Sequence, residues 1–267
     1  MGAGRLINIK TRAGPLAAWR RERFAFARFL PLAVLLVWAA FHAGDANLAQ
    51  AGAVLLIALA LLAQFRLWDD LVDRERDRTA HPQRVVARVE ERAALNGAVC
   101  LLAASNALGL AWVHGLSALL GFALLCALTA LWYRSYRARE LTHVLVLHLK
   151  YPAFVLIIAP APVQGTAPLI GAAIVYAAVL GFELLEEPRL RSGLGGWLLA
   201  GCLSVLTIAP FSVHTSPLGV GASALAGAVL FAKRHELMGT SAHPTVRYLP
   251  FALAAFGLTF ATIGGFR

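Results

Sequence analysis

The sequence predicts an all-α, polytopic membrane protein, and three observations carry that prediction. Hydrophobic residues make up 59% of the 267 positions and charged residues 14%, with a mean hydropathy of +0.69, which is too apolar for a soluble domain of this size. Apolar runs of bilayer length recur along the chain, each bounded by charge or by Gly, Pro or His turn residues. Lys and Arg crowd alternate connections between these runs and are missing from the others.

The segment 1–25 is basic, and residues 15–28 predict a short interfacial helix, with Trp19, Phe24 and Phe26 for the headgroup boundary and arginines for lipid phosphates. The first span, 26–44, has no small-residue cleavage pattern and reads as a retained helix. Further spans follow at 48–68, 94–113, 115–133, 142–163, 167–185, 195–213, 217–232 and 246–265. The expectation is therefore nine transmembrane helices in a single integral-membrane domain over 1–267, with polar motif loops near 69–92 and 183–194. Cys100, Cys126 and Cys202 all fall inside expected spans, where they read as small apolar fillers.

Seven basic residues, Arg5, Lys10, Arg12, Arg20, Arg21, Arg23 and Arg28, precede or open the first span, whereas the connections 42–50, 113–116, 163–168 and 212–217 contain none. The positive-inside rule then puts the N-terminus in the cytoplasm and the C-terminus outside. Every acid except Asp45 falls on the same cytoplasmic side, which that rule does not require and which favours a polar site there. A net charge of +10 suits attraction to anionic lipid headgroups better than nucleic-acid binding. Richness in Ala, Arg and Leu suggests a GC-rich bacterial source, hence the inner membrane.

The chemistry concentrates at the end of the second span. Asp69, Asp70, Asp73 and Asp77 follow directly on an apolar run, a costly place for carboxylates: about 2.5–3.5 kcal/mol for an ionised Asp at a bilayer centre. On a helix Asp70, Asp73 and Asp77 share a face at i, i+3 and i+7, as do Asp69, Asp73 and Asp77 at i, i+4 and i+8. Clustered oxygens at a membrane mouth call for a cation, and an all-oxygen set suits Mg²⁺. The helix is expected to run on for about two turns until His81-Pro82 ends it and turns Arg84 back toward the acids. A second acid-rich helix end holds Glu183 and Glu187 one turn apart, with Glu186 beside them. Alone it reads as a solvated cap; paired with the first it matches a diphosphate bridged by Mg²⁺. Lys150 lies two turns into the fifth span, where it either snorkels to the interface or faces a cavity and meets an anion, and the second reading is preferred. His143 and His148 read as structural hydrogen-bonders, because no second ligand sits at metal spacing.

These residues resemble the UbiA family of intramembrane prenyltransferases. Its first signature, Asn/Asp-Asp-x-x-Asp-x-x-x-Asp followed by a His-x-Arg or Pro-x-Arg element, is matched by Asp69-Asp70-Leu-Val-Asp73-Arg-Glu-Arg-Asp77 and His81-Pro82-Gln-Arg84. The nine-helix bundle with a cytoplasmic N-terminus agrees with the family arrangement. The resemblance implies Asp70, Asp73 and Asp77 as Mg²⁺ ligands and catalytic residues together with Lys150, and Glu183 and Glu187 as further metal ligands. It implies Asp69, Arg66, Arg84, Tyr133 and Arg137 as diphosphate contacts. Two departures stand out: Tyr133-Arg-Ser-Tyr-Arg137 offers Arg where the family has Lys, and Glu183-Leu-Leu-Glu-Glu187 replaces an Asp-x-x-x-Asp signature.

The activity implied is Mg²⁺-dependent transfer of a prenyl group from a polyprenyl diphosphate to a small-molecule or lipid acceptor within the membrane. Two alternatives remain open: a sugar-phosphate transferase acting on a polyprenyl phosphate carrier, and a non-catalytic lipid-binding or transport protein. The transport reading predicts charges through the middle of several spans, where this sequence has only Lys150.

Overall fold

The computed structural model describes residues 14–41, 48–89, 92–135, 141–160, 167–191, 193–212 and 248–264. Every regular element among them is helical. In chain order these are α1 (Pro15–Arg23), α2 (Phe26–Phe41), α3 (Leu48–Val72), α4 (Arg74–Ala80), α5 (Val85–Arg88), α6 (Ala93–His114), α7 (Leu116–Ser135), α8 (Leu141–His148), α9 (Lys150–Ile158), α10 (Ala167–Glu186), α11 (Leu194–Ser212) and α12 (Leu249–Gly264), with one 3₁₀ turn over Pro188–Arg191.

Five helical segments are long and apolar enough to cross a membrane: Ala49–Val72, Ala93–His114, Leu116–Ser135, Leu141–Ile158 and Pro168–Glu186. Counting α1 and α2 as one bent span, turned by 70° at their junction, makes six. The chain is thus a helical membrane protein. α11 and α12 coincide with two more of the nine expected spans, and 217–232 lies outside the described residues. The interfacial helix expected over 15–28 stops at Arg23, and Phe26, Ala27 and Arg28 already belong to α2.

The chain forms two compact units, one of Met1–Pro31 with Leu59–Asn106 and one of Leu32–Ala58 with Ala107–Arg267. In the first, α1, the end of α3, α5 and the start of α6 close on a core of Trp19, Leu67, Val86, Leu95 and Ala98, flanked by Phe24, Leu71, Val85, Val89 and Val99. Arg74 folds the return loop. Its guanidinium donates to the backbone oxygens of Val86, at 2.9 Å, and Val89, so two carbonyls left over by the single turn of α5 and its exit are satisfied by one side chain. Between α3 and α6 the buried amide of Asn106 donates to Gln64 Oε1 at 2.7 Å, joining two polar groups that have no water inside a bilayer.

In the second unit α10 is the central helix. It packs against α8, α9, α11 and α12, and 61% of its membrane-length window is buried, against 11% for α7. Close approach depends on Gly181, where a Cβ would sit 3.3 Å from Pro250 Cγ of α12. α7 instead presents Leu116, Leu120, Leu124 and Leu128, one turn apart and exposed, as a stripe suited to lipid tails. The span from Leu141 to Ile158 is interrupted at Leu149 because Pro152 has no N–H for the His148 carbonyl and its ring crowds that oxygen. The chain tightens there, Leu149 N–H bonding Val146 O at 3.1 Å, and regular bonding resumes with Ala153 N–H on Leu149 O at 3.2 Å.

Candidate functional site

The acid-rich end of α3 keeps helical register through its junction with α4. Asp73 N–H bonds Asp69 O at 2.9 Å, Asp77 N–H bonds Asp73 O at 2.8 Å, and His81 N–H bonds Asp77 O at 2.8 Å. Asp69, Asp73 and Asp77 therefore stand on successive turns, as the spacing predicts, and the run ends at His81 before Pro82. The turn over 81–84 then brings Arg84 back, its Nη1 donating to Asp77 Oδ1 at 2.6 Å.

Asp70 and Asp77 are the two buried acids of this cluster, each 4% exposed. Such a position needs a cationic or hydrogen-bonding partner, and both have one. Asp70 accepts from Trp19 Nε1 at 2.8 Å and is gripped by the fork of Arg23, whose Nη2 lies 2.9 Å from Oδ1 and whose Nε lies 3.2 and 3.3 Å from the two oxygens. Arg66, one turn back on α3, adds its Nη2 at 3.3 Å from Oδ1. This differs from the expectation of Asp70 as a magnesium ligand, because both of its oxygens face donors from the chain itself.

Glu75 occupies the outer side of the same turn, with Arg78 Nη1 at 3.0 Å and Arg92 also paired to it. Desolvation pushes its carboxyl upward, but the hydrogen bond and charge of Arg78, with Arg92 and Arg74, hold it below the ordinary glutamate value. Arg74 is held below its ordinary value by burial first, then by the positive charges of Arg92 and Arg78.

In the second unit, Glu183 and Glu187 sit one turn apart, Glu187 N–H bonding Glu183 O at 2.9 Å, before Pro188 ends α10. His148 approaches Glu183 with 3.9 Å between Nε2 and Oε2, a contact beyond hydrogen-bond length. His148 Nδ1 lies 2.6 Å from Val144 O; since a carbonyl only accepts, Nδ1 carries the proton. His143 accepts from Trp132 Nε1 at 3.0 Å, so both histidines are hydrogen-bonded as the sequence predicts. Lys150 is buried at the α8 to α9 break with Nζ 5.6 Å from the Tyr151 ring centroid, a cation–π approach. Its burial differs from the snorkelling alternative. Tyr133 is half-buried near the end of α7, and Arg137 lies outside the described residues.

Mg²⁺ demands near-octahedral oxygen ligands at about 2.0–2.1 Å. Among the described residues no group of three or more His, Cys, Asp or Glu is gathered to hold a metal ion, and Asp70 and Asp77 are directed at arginines. The cluster as arranged pairs its two buried acids with the chain's own cations. What it offers an incoming anion is guanidinium: Arg66 and Arg84 are paired to carboxylates yet keep 32% and 25% of their side-chain surface open. Sequence reasoning missed Trp19 and Arg23 as partners of Asp70, from which they lie 51 and 47 residues away; it read them only as headgroup-facing residues of a basic interfacial helix. No known family model, curated protein or solved structure matches the chain.

Proposed function

We propose that this chain is an intramembrane prenyltransferase of the UbiA type, acting on a polyprenyl diphosphate whose head sits at the end of α3 and whose tail lies among apolar helices. The observation that carries the reading is the stack of Asp69, Asp73 and Asp77 on successive turns at the mouth of a membrane-length helix, with Arg84 paired to Asp77 and Arg66 to the neighbouring Asp70.

In this reading Arg66 and Arg84 exchange part of their contact with carboxylate for the diphosphate oxygens. The allylic C–O bond then breaks with its electron pair leaving on pyrophosphate, and the guanidinium charge stabilises that developing anion. The acceptor's nucleophilic atom bonds the allylic carbon and gives up its proton to the released pyrophosphate, while the apolar helices keep water from capturing the cation first. Exposed Arg20 and Arg21 on α1 would meet anionic headgroups. The same reading places the N-terminus and both acid-rich helix ends at the cytoplasmic face of a bacterial inner membrane. Magnesium dependence, implied by the resemblance, belongs to the reading: Asp69 and Asp73 would help hold a Mg²⁺ whose charge neutralises the departing pyrophosphate.

The test is binding and turnover of labelled prenyl diphosphates of several chain lengths by the purified protein in lipid, with Mg²⁺ and with EDTA, against the Asp73→Asn variant. Saturable binding and pyrophosphate release, lost by at least about a hundredfold in the variant, are expected. No binding at any chain length, or full turnover by Asp73→Asn, would sink the assignment.

A further inference from the structure

We infer that α1 is an interfacial strap fastened across the end of α3 by Asp70, and that this fastening, not ligation of metal or substrate, is the role of Asp70. The inference stands whether or not the prenyl-transfer reading does.

α1 has nine residues, starts with Pro15 and has no side-chain cap at its N-terminus, whereas an isolated helix shorter than about 12–15 residues is marginal in water. Its order has to come from what it docks on. Trp19, Glu22 and Arg23 fall at i, i+3 and i+4 and so share one face, and all three make contacts far along the chain. Trp19 is 2% exposed and donates to Asp70; Arg23 forks onto the same carboxylate; Glu22 Oε2 takes the Val85 N–H at 2.9 Å. Beyond the helix Phe24 stacks on Trp19 and on Phe29, at 6.0 and 4.2 Å between ring centroids. One buried carboxylate thus gathers an indole and a guanidinium from α1 and a second guanidinium from α3. Arg20 and Arg21 are left on the exposed side. A magnesium ligand in this position would have to surrender the contacts that hold α1.

The experiment is amide hydrogen exchange of peptides covering 15–24, measured on the full chain in phosphatidylcholine nanodiscs without substrate. Asp70→Asn and Arg23→Gln are each expected to speed exchange across α1 at least about tenfold while peptides from α10 keep the parental rate, which separates unfastening from misfolding. Arg23→Gln leaves every acid in place. The double variant is expected to be no faster than the faster single one, because both substitutions break one contact. Asp73→Asn is expected to leave α1 at the parental rate. The inference is overturned if α1 keeps parental exchange in both single variants, or if EDTA alone loosens α1 in the unsubstituted protein, since Asp70 would then be acting through a metal.

Discussion

The two acid-rich helix ends look alike in sequence and differ in how their charge is answered. At the end of α3, Asp70 and Asp77 are buried and each is met by arginine at 3.3 Å or less, from α1, from α3 itself and from the loop after Pro82. At the end of α10, Glu183 is 31% exposed and has the His148 imidazole at 3.9 Å. The difference follows from position: a carboxylate inside a packed core must be paired, whereas one at an open helix end is already solvated. The second cluster is therefore not a weaker copy of the first. A repeated motif in sequence does not make a repeated site.

The contrast is broken most directly by deleting one acid from each end and following thermal unfolding in detergent. Asp70→Ala leaves two guanidinium groups and an indole N–H without their shared acceptor and is expected to cost about 3–5 kcal/mol. Glu183→Ala removes a part-exposed carboxylate whose approach to His148 is long, and is expected to cost less than about 1 kcal/mol. Equal losses would remove the distinction between the two ends.

Two further substitutions sharpen what holds each end in place. In the second unit, Gly195→Ala drives a Cβ into the Leu190 carbonyl, and the 3₁₀ turn must move to accept it. A loss of about 2–3 kcal/mol, by the same melting measurement, is expected from that backbone collision. In the first unit, Arg74→Met keeps the stem but abandons the Val86 and Val89 carbonyls, with an expected cost of about 1–3 kcal/mol. Faster exchange of amides over 81–89 is expected to accompany it.

The smallest effect concerns pH. Glu75 is held below its ordinary value of 4.5 in the folded chain, so its arginine pairs add stability above that value and lose it as pH falls through the lower folded value. Glu75→Gln is therefore expected to melt slightly below the parent at neutral pH and to coincide with it in acid. A gap that widens in acid would reverse the sign of this pairing.

Much of the first site was legible in sequence because its geometry is local. The spacing of Asp69, Asp73 and Asp77 fixes their stacking once the segment is helical, and His81-Pro82 both ends that helix and returns Arg84, since proline forbids the next turn. Pro152 carried an equally local signal for the break beside Lys150, since it has no N–H to offer the carbonyl four residues before it. Trp19 and Arg23 carried none toward Asp70, because periodicity orders neighbours along one helix and is silent about which distant helix turns to meet it.

By itself, then, the sequence determined a helical membrane protein: apolar runs of bilayer length have no other way to satisfy their backbone hydrogen bonds in lipid. It also determined where the acids would fall along their helices, since spacing and helical pitch are enough for that. Which acid is buried, which arginine answers it, and that α10 sits at the centre of its unit while α7 turns leucines outward were decided only by tertiary packing. Burial converts a row of equivalent carboxylates into groups that must each find a partner, and those partners are set by which helices pack together.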